Sequence, residues 1–344
     1  SPTAARFHLS PNPQSPMGNR LSYIAWRLAQ VIPTALIIVL LAFGLLQLAP
    51  GDAVDVVAGE SGGATPEYME EMRSLYGLDV PRWQQFANYV GALARFDLGY
   101  SFRENMPVSE LLMTRLPATL LLSLAAIVFA LVVGVLLGVL AARYRGSALD
   151  GAIAVVSTIG FATPLFWIGL IMIVIFSIHL RWLPVAGMGT VGADHANWFA
   201  YARDLGRHLL MPAFSLSLFF LSMYVRITRS AILEVYGLDF VRTARAKGLR
   251  EWRLIFSHIL RNAALPIVTI TGLELGGLLS GAVVIETVFG WPGIGRLAYD
   301  AVFSRDLNLL LGIFLCSSFL VVLMNLIVDL LYVVLDPRIG SRQR

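Results

Sequence analysis

Three acids, Glu274, Glu286 and Asp329, stand inside long apolar stretches of this sequence. An ionisable group at membrane depth is costly and marks a substrate contact, an ion path or a proton relay unless a partner neutralises it. Glu274 falls roughly 16 Å along its apolar run when that run is built as a helix, near mid-membrane. It shares a face with Gly277 and Gly281. The group reads either as part of a translocation path or as a carboxyl hydrogen-bonded inside a helical bundle. Glu286 and Asp329 lie nearer the ends of their runs, where structural hydrogen bonding is the simpler account.

Other chemistry finds little support. Residues 59–63, GESGG, match the outline of a nucleophile elbow, but nothing strand-like precedes the serine, and the stretch reads as a loop. The five histidines, His8, His179, His195, His208 and His258, have no metal-ligand spacing and no thiolate partner, so no metal site is expected. The lone Cys316 excludes an internal disulfide. A phosphate-binding loop needs a lysine after a glycine-rich turn, whereas the single lysine, Lys247, follows Ala246. No catalytic residue and no bound cofactor are expected, and any ATP and Mg belong to partner subunits.

The remaining concentration of polar chemistry is basic. Segment 234–262 carries Arg242, Arg245, Lys247, Arg250, Arg253 and Arg261 against Glu234, Asp239 and Glu251. Asp239 is placed to cap a first helix running to Lys247, and Gly248 suits the left-handed turn that would end it. A second helix carries Trp252, Ile255, Phe256 and Ile259, while Phe240, Ala244 and Lys247 share one face of the first. Such a loop is either a docking surface or a topology signal.

The elements that position these residues follow from composition. With 57% hydrophobic and 14% charged residues and a mean hydropathy of +0.72, the chain departs from soluble domains, which carry about 25% charge. Apolar runs that could cross a hydrocarbon layer of roughly 30 Å occur at 28–48, 118–142, 153–180, 209–225, 263–288 and 309–335. They lack the alternation of barrel strands, so an all-α integral membrane protein with six transmembrane helices is expected. Six spans put both termini on one side. That side holds sixteen Arg and Lys against ten on the other, so both termini are expected in the cytoplasm.

Four segments are expected: an N-terminal extension or tag remnant at 1–19, disordered, with a native start at Met17; a first transmembrane helix at 20–49, read as an uncleaved anchor; an external subdomain at 50–115; and a five-helix core at 116–344 containing loop 234–262. In the external part, Thr65 before Pro66 starts one helix, which Gly77 closes. A second begins at Pro81 and carries Trp83, Phe86, Val90 and Leu93 on one stripe, either lying on the membrane or packed on neighbouring elements. Gly134 with Gly138, Gly272 with Gly276, and Gly277 with Gly281 are spaced for close helix approach.

Segment 234–262 resembles the cytoplasmic coupling motif of binding-protein-dependent ABC importer permeases, in the form used by the dipeptide/oligopeptide/nickel subfamily. Thr243 and Ala244 fall in its small-residue stretch, Arg245, Ala246 and Lys247 are the spacer, Gly248 is the glycine, and Leu249 follows; TARAKGL is succeeded by HILRNAALP. Arg242 stands where the general motif has an acid. The resemblance extends over 20–340 through PGD at 50–52, GLDVP at 77–81, DLGYS at 97–101, RLPATL at 115–120, ETVFGWPGIGRL at 286–297 and NLIVDLLYVVLDPRI at 325–339.

The resemblance implies a type I ABC importer permease fold, of the first-permease type, in a bacterial inner membrane. It implies a second homologous permease subunit, two ATP-binding ATPase subunits, an extracytoplasmic substrate-binding protein and the lipid bilayer as partners, with no nucleic acid. Asp239, Thr243, Ala244, Lys247, Gly248 and Leu249 would couple to the ATPases. Peptides are the implied cargo, with a nickel chelate, glutathione or another small conjugate as the alternative. A stand-alone ion-coupled carrier using Glu274 would leave the patterned loop unexplained, and a membrane-embedded hydrolase lacks a nucleophile and base.

Overall fold

Backbone groups in hydrocarbon must find partners within their own segment, and apolar runs of this length answer as helices. The computed structural model describes residues 16–48, 65–75, 79–101, 103–194, 197–277 and 282–335. Helix α1 covers Pro16–Leu48, so residues 16–19 of the expected extension are helical, and 1–15 lie outside the described residues. Outside its apolar end come α2 (Pro66–Leu75), α3 (Arg82–Leu93) and a two-stranded hairpin, β1 (Tyr100–Ser101) with β2 (Met106–Pro107). Thr65 caps α2 as expected, its Oγ1 accepting from Tyr68 N at 3.4 Å. Gly77, residues 50–52 and the 59–63 loop lie outside the described residues.

The core begins with α4 (Val108–Arg143), followed after a short turn by α5 (Ala148–Ala162) and α6 (Leu165–Met172), which continues as a π-helix over Ile173–His179. Then come α7 (Trp198–Tyr236), α8 (Asp239–Ala246), α9 (Glu251–Leu254), a π-helical turn at Ile255–Ile259, α10 (Leu260–Gly276), α11 (Ala282–Val288), α12 (Ile294–Ser304) and α13 (Leu307–Leu335). Among the described residues five helices are long and apolar enough to cross a membrane, and a sixth crossing requires α5 and α6 with its π-helical continuation to count as one, bent by 102°.

That bend corrects the straight span expected over 153–180. Pro164 has no N–H to give, and it holds Thr163 at φ −82°, ψ 131°, outside the helical region. The fourth span is also longer than its apolar centre: α7 runs 39 residues, carrying Arg203 and Arg207 at one end and Arg226 and Arg229 at the other. Hydropathy marks only the part of a helix at lipid depth. Likewise the expected span 263–288 begins earlier, at Glu251, and its described parts are α10, which ends at Gly276, and α11.

Helices α4 and α7 are held closest together. A Cβ at Gly134 would stand 2.5 Å from Tyr224 Cβ, and one at Gly138 2.6 Å from Thr228 Cβ, so both positions need glycine for the backbones to approach. Around this seam lies the main apolar cluster, with Leu122, Ile127, Met211, Leu216, Ile270 and Ile285 buried in it. Gly277 behaves differently. Only the carbonyls of Leu273 and Glu274, in its own preceding turn, come within 4 Å of its Cβ direction, so no described helix approaches there; Gly281 lies outside the described residues.

Candidate functional site

The basic segment folds as two short helices around one glycine. Leu238, in extended conformation, precedes α8 without a side-chain cap, so Asp239 stands in the first turn instead of capping it. A carboxylate there still favours the positive helix end. The helix stops at Ala246 with Lys247 as C-cap, and Gly248 follows at φ +79°. That left-handed value is open to glycine and unfavourable to residues with a Cβ.

One side of this unit is fastened to the bundle. Val241, Leu254, Ile255 and Ile259 are all completely buried, packed with Val139, Ile232, Val235 and Ala263. Ala244 packs against the same cluster, whereas the opposite side is open: Phe240 is exposed, Leu249 is half-buried, and Thr243, Lys247 and Gly248 are exposed. Trp252 and Phe256 stack on each other at 6.0 Å and are each 46% exposed. Exposed apolar rings beside charged side chains are a common feature of protein interaction surfaces.

Two side chains fix the angle between the helices. Arg245 donates from Nε to Glu251 Oε1 at 2.7 Å and from Nη2 to Oε2 at 3.3 Å, and its guanidinium lies 5.0 Å from the Tyr236 ring centre. The Glu251 carboxylate holds the guanidinium above its ordinary pKa. Beyond the turn, Glu251–Leu275 forms one helical stretch of 25 residues, roughly 37 Å long, so the second half of the loop is the end of a membrane span.

At the far end of that stretch stands Glu274. It belongs to the stripe of Ala263, Ile267 and Ile270 that packs into the bundle, and it is half-buried. One turn earlier, Tyr224 Oη donates to Thr271 Oγ1 at 3.1 Å. The Glu274 carboxylate has no hydrogen-bond or ion-pair partner among the described residues. Its place in the last turn of α10, where carbonyls point outward, makes this a negative pole.

The other two acids are structural, as expected. Glu286 is fully buried and accepts from Thr119 Oγ1 at 2.6 Å and from Arg296 N at 2.9 Å, while Thr119 Oγ1 also accepts from Ile294 N at 2.8 Å. Trp291 Nε1 donates to the Ala118 carbonyl at 2.8 Å, so the 286–297 motif is stitched to α4 at three points. Asp329 pairs with Arg27 at 3.1 Å, joining α13 to α1. Two further links had no signal in the residue pattern. Arg229 binds Asp150 with both prongs at 2.8 Å, across 79 residues, and Ser101 Oγ donates to Asp306 Oδ2 at 2.5 Å. Arg245 and Glu251 were readable in principle, as opposite charges three residues either side of Gly248.

Residues 134–341 match the family described as binding-protein-dependent transport system inner membrane component, and residues 20–125 match its N-terminal membrane component. The chain belongs to that family. This inner membrane component is 44% identical over 339 residues to the di/tripeptide transport system permease protein of Pseudomonas aeruginosa, covering 94% of the chain and 100% of the relative. It is 42% identical, with the same coverage, to the dipeptide transport system permease protein of Escherichia coli K12. Among solved structures, an inward-facing methionine ABC transporter, MetNI, superposes with a TM-score of 0.52 at 17% identity, covering 66% of this chain and 96% of that one. The transport component thus has the type I ABC importer permease fold.

Proposed function

We propose that this chain is a permease subunit of an ATP-driven peptide importer, forming half of the translocation pore. The single observation that carries the reading is full-length identity above 40% to di- and tripeptide permeases, with no part of those relatives unmatched. A second homologous permease supplies the other half of the pore, two ATPase subunits supply ATP and Mg, and an extracytoplasmic binding protein delivers the cargo. Both termini lie in the cytoplasm, on the side where positive charge is retained.

The geometry supports a route for force. An ATPase gripping the 234–262 unit at Asp239, Thr243, Ala244, Lys247, Gly248 and Leu249 moves a unit stiffened by Arg245 and Glu251. Because Glu251 begins a rod that enters the bundle, displacement at the loop becomes displacement of α10 at Glu274. Glu274 and Gly277 then line the path that opens and closes. The subunit contributes no covalent chemistry; each state must be favoured by a different ligand, since equal affinity for both shifts nothing.

The test is reconstitution of the four-part transporter in vesicles with its binding protein. A panel of a dipeptide, a tripeptide, glutathione and a nickel chelate is offered, and ATP hydrolysis and uptake are followed. Stimulation by the short peptides supports the reading; stimulation by the chelate or glutathione alone overturns the peptide assignment.

A further inference from the structure

Helix α3 is amphipathic, and among the described residues only one of its faces packs on another helix. Gln85, Phe86 and Tyr89 meet α1 at Phe43 and Gln47. Phe86 lies edge-on to Phe43 at 5.3 Å, Tyr89 tilts against the same ring at 5.8 Å, and Gln47 Nε2 donates to Gln85 Oε1 at 3.0 Å. These contacts occupy one turn of each helix. Two helices that touch over a single turn cross; they do not run side by side.

At about 100° per residue, Trp83, Ala87, Val90 and Ala94 form the next stripe around α3, adjoining the face that meets α1. Trp83 is 71% exposed, and Phe96, turned outward just past the helix at φ 60°, is 85% exposed. Gln84, Asn88 and Arg95 occupy the opposite, polar side. No described residue covers the apolar stripe. Helix α1, which α3 meets at Phe43 and Gln47, is long and apolar enough to cross a membrane, its apolar window is only 6% buried, and Leu41, Leu45 and Leu48 are exposed on another side of it. Phe43 and Gln47 stand near the end of that helix at Leu48, so α3 meets α1 where its apolar length ends.

We infer that α3 lies crosswise in the headgroup zone at this end of α1, with Trp83, Val90 and Phe96 entering the acyl boundary. The occupant of the stripe is lipid. Tryptophan is the side chain suited to that depth, with an apolar body and a polar N–H, and Arg82 and Arg95 at the two ends of the helix can reach lipid phosphates. The helix would act as an interfacial float, setting the depth of α1 and of the hairpin that follows. This inference stands independently of the cargo.

The experiment uses the assembled transporter in lipid nanodiscs, with Cys316→Ser to clear the native thiol and single cysteines introduced as Ala87→Cys, Val90→Cys or Asn88→Cys. Each is labelled with a polarity-sensitive fluorophore and challenged with a lipid-attached nitroxide or with aqueous iodide. Expected is strong nitroxide quenching and blue-shifted emission at 87 and 90, with iodide quenching at 88. Iodide quenching at 87 and 90 would place the stripe in water and overturn the inference. So would protection there from both quenchers, which would mean a protein covers it, or equal behaviour of the two faces.

Discussion

Arg245 and Glu251 close over Gly248 from three residues on either side, their two-pronged contact at 2.7 and 3.3 Å joining the last turn of one short helix to the first turn of the next. Exposed ion pairs of this kind contribute only about 0.2–1 kcal/mol. Breaking it should therefore leave folding intact while loosening the angle between α8 and α9. Arg245→Met or Glu251→Gln is expected to shift the melting temperature little and to lower peptide uptake per ATP hydrolysed. The exchange of the two charges, Arg245→Glu with Glu251→Arg, should recover part of the ratio. Unchanged ratios in both single variants would remove the strut from the account.

Around Glu286 the consequence is stability. Its buried carboxylate receives Thr119 Oγ1 and Arg296 N, and Gly293 lies so near that a methyl group there would overlap the carboxyl. Removing an acceptor from a buried network leaves its donors without partners, at about 1–3 kcal/mol for each group. Glu286→Leu and Gly293→Ala are each expected to lower the melting temperature of the purified complex by several degrees, and Glu286→Gln by less. Thermal unfolding in detergent measures this directly.

The seam between α4 and α7 makes a second stability prediction. Gly138→Leu would drive a side chain into Thr228, whose Cβ already stands 2.6 Å from the position of an added Cβ. Overpacking of a close seam costs about 1–3 kcal/mol, often more where a backbone must move. Membrane-inserted but poorly assembled protein is expected, read as loss of partner co-purification. Gly151→Leu, where nothing lies within 4 Å, is the control that should assemble normally.

Glu274 carries the prediction for the path itself. Its carboxylate is unpartnered among the described residues and faces into the bundle one turn beyond Tyr224 and Thr271. Glu274→Gln keeps the shape and removes the charge. Assembly and ATP hydrolysis without substrate should be unchanged, and peptide uptake should fall. A loss of assembly would show instead a structural role.

Much of this arrangement was legible in the sequence, and the misses have one cause. Hydropathy reports where lipid is, so it located all six apolar runs but stopped α7 at residue 225 and started the next span at 263, although both helices continue as charged turns outside the membrane. Backbone events are invisible to a sum of side-chain transfer energies. The Thr163–Pro164 bend was nevertheless spelled out by the proline. Glycine pairs at 134 and 138 predicted close approach correctly because the effect is local to one helix face. Partnerships such as Glu286 with Thr119, 167 residues apart, could not be read, since either acid could have found its donor anywhere in the bundle. In the loop, the positive φ of Gly248 was readable from its place after a helical run, whereas the absence of a cap at Leu238 was not.

If segment 234–262 carries the motion of the ATPases to α10, the effect should be plainest at Gly248. A β-branched residue forced to φ +79° is disfavoured by more than the roughly 1–2 kcal/mol of an ordinary left-handed residue. Peptide uptake and ATP hydrolysis should be measured together in vesicles for wild type and Gly248→Val, after confirming equal assembly. Hydrolysis is expected to continue, with uptake lost and with no stimulation by loaded binding protein. Full uptake by the assembled Gly248→Val transporter, at the wild-type ratio to ATP, would contradict it.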